Sequence, residues 1–169
     1  EMYNKALSSV IKNFQAKNPF TNPKPKDLFE ENTIFEALTG KAQALKAFYL
    51  ERNNIDALEA ALECHDLAYQ TEQKLRAIYQ VEGSKIQLQL SSRKRDGEAI
   101  EIAYLLYEAT KDKQYLQRAF QIAEQSKSTI LLDALSNNLF KREVQNEDTL
   151  LIQEQRIKNY IALYERTLL

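Results

Sequence analysis

Residues that interrupt helices are scarce in this chain. It contains three glycines, three prolines and no tryptophan among 169 residues, and the prolines all fall between Pro19 and Pro25. Glycine and proline destabilise helix interiors more than any other residues, so their scarcity leaves long stretches free to form helix. The chain is rich instead in alanine, leucine, glutamate, glutamine and lysine, which are strong helix formers. We therefore predict an all-α fold, with helix well above the roughly one third usual in globular proteins.

Cysteine, net charge and long apolar runs are also scarce, and each absence argues against a class of protein. A single cysteine, Cys64, cannot form an internal disulfide, which fits a reducing compartment, and we expect a cytoplasmic protein. The net charge of −1 gives no basic surface overall, so we expect no nucleic acid partner. We interpret the one basic cluster, Arg93–Arg95, as a solvated turn. No apolar run approaches the roughly 18 residues of a membrane span, so we expect no membrane partner.

Residues with catalytic chemistry are few and badly placed for it. Cys64 and His65 are neighbours in the sequence, and neighbouring side chains on a helix point roughly 100° apart. A nucleophile and its base must instead meet at hydrogen-bond distance. One histidine and one cysteine are too few ligands for a metal, and Gly83 and Gly97 do not have phosphate-loop spacing. We expect no cofactor, no metal and no catalytic residue in this segment, and we assign Cys64 a structural role.

The periodicity of apolar residues predicts a series of helices joined by short turns. Residues 16–32 hold all the prolines without a helical period, and we interpret them as an ordered loop. Thr33 and Glu36 have the spacing of a capping box at the start of a helix. Residues 81–94 alternate as a strand would, but a lone strand has no partner here, so we predict helix continuing past Gly83. The predicted helices span about 2–15, 33–51, 55–80, 96–110, 112–127, 128–138 and 148–169.

A helical unit occurs twice in the sequence. The segment 115–127 places Ala119 and Ala123 on one face beside large apolar residues, and the segment 57–68 has the same construction. Small residues at these positions allow a second helix to pack closely. A shift of 58 residues (119 − 61) aligns Ala61 with Ala119, Tyr49 with Tyr107, Leu58 with Leu116, Leu62 with Phe120, and Asn54 with Asp112. Repetition of this kind is typical of stacked helical-repeat proteins, whose usual product is a binding surface.

These residues resemble tetratricopeptide repeats (TPR), which pair two antiparallel helices. Ala61 and Ala119 match the small position at which the second helix crosses the first, and Tyr49 and Tyr107 match the large position late in the first helix. The chain departs from that family in its period, which is about 34 residues in TPR proteins. It also lacks the proline that ends a typical repeat. The resemblance implies a right-handed solenoid of stacked helical hairpins.

A narrower resemblance concerns bacterial proteins with a C-terminal CHAT domain, a caspase-like protease module. The strings that carry it are Asn22–Leu28, Leu38–Leu45, Ala119–Lys127 and Ile130–Leu135. It implies that residues 1–142 are a TPR-like array and that 143–169 form a long amphipathic helix leading to a downstream protease domain. The implied function is protein–protein interaction and regulation, with protease activity residing beyond Leu169. The alternative from another class is a structural spacer or oligomerisation element.

Two surfaces are predicted to bind partners. By the resemblance, the concave face comes from the first helix of each hairpin, and it would receive a protein or peptide. Its tyrosines could equally pack between helices, a possibility we leave open for Tyr104 and favour for Tyr107. The residues predicted for this face are Lys46, Tyr49, Tyr104 and Glu108.

The second surface is an apolar stripe along the C-terminal helix. A stripe of this length is a contact surface, because water-exposed apolar patches of that size are rare. We expect it to dock against the downstream domain in the parent protein. In this chain it should fold back on the array or pair with a second copy, and we favour the homodimer. The stripe residues are Leu150, Ile157, Ile161, Tyr164 and Leu168.

Overall fold

The computed structural model of this chain describes residues 1–78, 82–127, 153, 156, 157 and 159–161, and for 77, 78 and 82–90 it describes the backbone alone. Within these ranges all regular secondary structure is helical, so the predicted all-α class is confirmed there. The predicted helix 128–138 and most of the predicted helix 148–169 lie outside the described residues. The described residues of that last segment are helical.

The elements follow one another through short connections. A single 3₁₀ turn, Pro25–Asp27, lies in the loop that carries the prolines. The α-helices are α1 (Met2–Val10), α2 (Asn32–Arg52), α3 (Ile55–Ile78), α4 (Glu82–Thr110) and α5, the described helical residues 114–127.

Helix starts and ends differ from the prediction where local side chains compete with the pattern. Helix α1 ends at Val10 instead of about residue 15, because Ile11 turns to extended backbone and is then buried. The capping box predicted at Thr33 is wrong, since α2 begins one residue earlier. Glu31 caps α2, and its carboxylate accepts from the Thr33 backbone N–H at 3.1 Å. Glu36 instead accepts from the side chain of Asn32 at 2.8 Å.

Helix α4 contains two positions that were interpreted differently from the sequence. The predicted helix through Gly83 is confirmed, and the strand-like alternation that follows does not produce a strand. The predicted helix start at Asp96–Gly97 is wrong, because α4 is continuous through both residues. The Asp96 carboxylate accepts from the neighbouring Arg95 guanidinium at 2.5 Å, so it does not cap a helix.

Helix α3 lies at the centre of the packing, against α2 on one side and α4 on the other. Arg95 of α4 pairs with Glu72 of α3, and Ser92 accepts from Arg76, so the two helices run antiparallel. The loop before α2 is fixed to this body, since the Lys74 ammonium donates to the Leu28 carbonyl at 2.5 Å. The fully buried aliphatic residues are Leu7, Ile34, Leu38, Leu58, Leu67, Leu75, Ile102 and Leu106.

The two predicted hairpins, unit 1 (α2 and α3) and unit 2 (α4 and α5), turn in the same way. Asn53 and Lys111, which are 58 residues apart (111 − 53), are the two residues with positive φ in the described chain outside glycine, at 53° and 58°. The N–H of each donates at 2.7 Å to a tyrosine carbonyl four residues earlier, Tyr49 in unit 1 and Tyr107 in unit 2. This left-handed residue closes both first helices, so the predicted alignment is confirmed at the turns.

The two units stack in the same direction. Gln43 of α2 donates to both carboxylate oxygens of Glu98 in α4 at 2.9 Å, and one turn later Lys46 pairs with Glu101 at 2.6 Å. The paired positions advance together along both chains, so the first helices run parallel. The second helices are joined in the same sense, by Tyr115 with Glu59 and by Arg118 with Asp66.

Candidate functional site

The four residues predicted for the partner-binding face do not form one surface. Lys46 lies between α2 and α4, where its ammonium pairs with Glu101 at 2.6 Å. Tyr49 is half-buried and packs against the hydrophobic core. These two residues therefore hold the units together, and the packing alternative for such residues applies to both of them.

Tyr104 and Glu108 lie one turn apart near the end of α4, and both are half exposed. The ring of Tyr104 lies 6.3 Å from that of Tyr107, at an interplanar angle of 46°. The Lys111 ammonium lies 5.6 Å from the Tyr107 ring and 3.8 Å from the Glu108 carboxylate. We call Tyr104, Tyr107, Glu108 and Lys111 the α4 end surface. It offers two phenol rings, an acceptor and a cation within one short stretch of helix.

The α4 end surface has the chemistry of a weak peptide-binding patch. Tyrosine supplies large contact area with few rotatable bonds, and its hydroxyl adds a hydrogen bond at the edge of the contact. The exposed pair of Glu108 and Lys111 contributes little to stability, because solvent screens it. Both charges therefore remain available to a partner.

A second exposed surface, which the sequence interpretation missed, lies on α5. Leu116 and Phe120 were expected beside the small residues of a close helix crossing. Instead both are exposed, whereas Ile122 carries the buried side of the helix. Ala119 and Ala123 are half-buried. We call Leu116 and Phe120 the α5 edge.

A buried ionic cluster joins α3 to α4, and it too was missed. The guanidinium of Arg95 is bonded to the carboxylates of Glu72 and Asp96, and Arg76 donates to Glu72 at 2.6 Å. The Arg95 guanidinium also lies 5.4 Å from the ring of Tyr69. Two positive and two negative groups thus neutralise one another. Buried charges of this kind are tolerated only when paired in this way.

The ionic cluster corrects the interpretation of Arg93–Arg95 as a solvated turn. Arg93 and Lys94 are exposed, but Arg95 is buried in the middle of a helix. Helical spacing contained the signal: Asp96 shares one face with Ala99 and Ala103, so it occupies a core position. A charge at such a position requires a partner, which local sequence cannot identify.

Burial makes Cys64 and His65 chemically quiet at neutral pH. It raises the pKa of the Cys64 thiol to about 12, and the thiol donates to the Asn22 side-chain oxygen at 3.0 Å. Burial, followed by the charges of Arg95 and Lys46, lowers the pKa of His65 to about 3. Neither imidazole nitrogen has a hydrogen-bond partner. The thiol is therefore protonated and the imidazole neutral, and the structural role predicted for Cys64 agrees with these contacts.

Lys41 is a third buried titratable group, and it lies close to the same loop. Its ammonium donates to the Thr21 carbonyl at 2.5 Å, and burial lowers its pKa. Asn22 adds bonds from its side-chain N–H to the Ala60 carbonyl at 3.0 Å and to the Glu63 carboxylate at 2.7 Å. These contacts fix the proline-bearing loop against α2 and α3.

Among the residues that the structure describes, no group of three or more histidine, cysteine, aspartate or glutamate side chains is placed to hold a metal ion. None of the described helices combines the length and the apolar character of a membrane span. Comparison of the chain with protein-family models, curated proteins and solved structures finds no match.

Proposed function

We propose that this chain is a protein-binding and regulatory segment, built as a TPR-like scaffold. Its parent is a larger bacterial, cytoplasmic protein with a downstream CHAT-type protease domain. The observation that carries the binding function is the parallel stacking of two hairpins with the same turn. Stacked hairpins repeat their side chains along an extended surface, which suits them to bind other proteins. In this proposal residues 1–142 form a right-handed array and 143–169 lead toward the protease domain.

The α4 end surface is the part of the scaffold that we assign to the partner. Its tyrosines supply contact area, and Glu108 and Lys111 supply orientation through charge. Lys46 and Tyr49 act one step removed, by setting the position of α4 relative to α2. Regulation follows if the partner binds one arrangement of the units more tightly than another, because a ligand shifts an equilibrium only by its differential affinity.

A photo-cross-linking amino acid at position 104 tests the binding function. The modified chain is irradiated in lysate of the native host, with the same amino acid at Gln121 as control, since Gln121 is exposed on α5. We expect a discrete protein adduct from position 104 that is absent from position 121. Equal adducts from both positions, or none from either, would reject the α4 end surface as a binding site.

The parent reading frame beyond Leu169 tests the regulatory part separately. A caspase-like histidine and cysteine pair encoded there would support it, and any other continuation would reject it. The alternative function, a structural spacer or oligomerisation element, is favoured by the exposure of Ile157 and Ile161. Sedimentation over a concentration series distinguishes the two, since an oligomerisation element must self-associate through those residues.

A further inference from the structure

Equivalent apolar residues are buried in unit 1 and exposed in unit 2. Leu58 and Leu62 of α3 are 0% and 8% exposed. The residues 58 positions later, Leu116 and Phe120 of α5, are 37% and 67% exposed. Helix α4 packs along α3, and this is the helix that covers unit 1. The α5 edge therefore has the composition of a surface made to be covered by one more helix.

The sequence contains a helix in the right register to do this. Shifting Ala99 and Ala103, both buried in α4, by 58 residues gives Ile157 and Ile161. The same shift takes Leu106 to Tyr164, so the buried face of α4 maps onto the predicted C-terminal stripe. Ile157 and Ile161 are helical, and they are 60% and 43% exposed. The chain thus presents two apolar faces without cover, separated by the repeat length.

We propose that the segment 148–168 is the first helix of a third unit and that it docks on the α5 edge of its own chain. It would lie on α5 as α4 lies on α3. The occupant is this segment because of its reach. The 58 residues from position 45 to position 103 allow α4 to stack on unit 1, and the same number separates position 103 from Ile161. This inference does not depend on the binding function proposed above.

The antiparallel pairing of α3 with α4 gives the register of the docked helix. Arg76 contacts Ser92, so a 58-residue shift places position 134 opposite position 150. Moving back 11 residues on one helix and forward 11 on the other places Ala123 opposite Ile161. The same count places Phe120 opposite Tyr164. These pairs can be tested individually.

Disulfide formation between Ala123→Cys and Ile161→Cys is the direct test. The native Cys64 need not be removed, because it is buried and its thiol is protonated at neutral pH. Mild oxidation of the double variant at micromolar concentration should give a monomer lighter by two hydrogens, at a rate independent of protein concentration. The control pairs Gln121→Cys with Ile161→Cys, since Gln121 is exposed on α5. Its intrachain product should be several-fold slower.

A covalent dimer as the main product would overturn the proposal in favour of a second copy as the occupant. Cross-linking no faster than the control would overturn it outright. Hydrogen exchange provides a second measurement without cysteines. Ile161→Glu should raise exchange across 114–127 several-fold and leave α2 unchanged. The same substitution at exposed Arg156 should not, and equal effects of the two variants would count against docking.

Discussion

The two units share their turns but differ in what they bury. At two adjacent positions unit 1 holds Ala37 and Leu38, both buried and apolar. The same shift of 58 residues leads to Arg95 and Asp96 in unit 2, also buried but charged. The backbone repeat therefore does not depend on the chemistry of the core at these positions.

This difference separates what specifies the hairpin from what specifies its neighbour. A left-handed residue after the first helix and small residues on the second are enough to repeat the hairpin. The ionic cluster instead fixes α4 against α3, because Arg95 finds its carboxylate on Glu72. Buried ion pairs contribute little net stability compared with apolar packing, but a wrong register would leave them unpaired at high cost. We infer that unit 2 uses charge to define its position where unit 1 uses shape.

The largest expected effect comes from breaking the ionic cluster. Arg95→Leu leaves Glu72 and Asp96 buried without this cation, and removing one partner of a buried pair costs about 3–5 kcal/mol. The free energy of unfolding is measured by urea titration. Arg93→Leu is the matched control, because Arg93 is exposed two residues earlier and should change stability by only about 0.5 kcal/mol. Similar losses for both variants would mean that the cluster does not hold α4.

The next effect compares the equivalent alanines of the two units. Ala61 is fully buried and Ala119 only half-buried. Ala61→Leu should therefore cost about 1–3 kcal/mol through overpacking. Ala119→Leu should cost less, and Ala109→Leu, at an exposed position, least. Urea midpoints in that order support the register of the repeat. A larger loss at position 119 than at position 61 would contradict the observed difference in burial.

Sequence reasoning predicted the features of the fold that depend on local pattern. Scarce glycine and proline gave the helical class, and the alignment of Tyr49 with Tyr107 located both turns. It failed where a distant group competes. Asp96–Gly97 has the composition of a helix start, yet the Asp96 carboxylate is bonded to Arg95, which itself is paired with Glu72 on another helix.

The same reason limits what could be predicted of the site. Tyr104 and Glu108 lie on the exposed side of α4, as their helical positions suggested. Lys46 was assigned to the partner-binding face, but it pairs with Glu101, 55 residues away. A long side chain at the margin of a helix face can turn to solvent or to a neighbouring helix, and only the packing of the units shows which.

The third effect is a pH dependence specific to unit 1. His65 corresponds to Ala123 in unit 2, and its pKa falls from 6.5 to about 3 on burial. The unfolded state then binds a proton between these values and the folded state does not, so stability is present above pH 6.5 and decreases as the pH falls. Between pH 7.5 and 5.5 the loss should be about 1.4 kcal/mol. His65→Leu should remove this part of the pH dependence, and urea titrations at the two pH values measure it. An equal loss in both proteins would assign it to other groups.

The smallest effect distinguishes the two turns themselves. Both Asn53 and Lys111 adopt left-handed backbone, which glycine enters without steric cost and asparagine tolerates better than lysine does. Lys111→Gly should therefore stabilise the chain by about 0.5–1 kcal/mol, because the Glu108 pair that it removes is exposed and contributes little. Asn53→Gly should be nearly neutral, since asparagine already suits the conformation. Thermal unfolding of both variants in one buffer measures the difference. An increase in melting temperature for Asn53→Gly that matches or exceeds the one for Lys111→Gly would show that the turns are not equivalent, and the 58-residue repeat would then lose its firmest structural support.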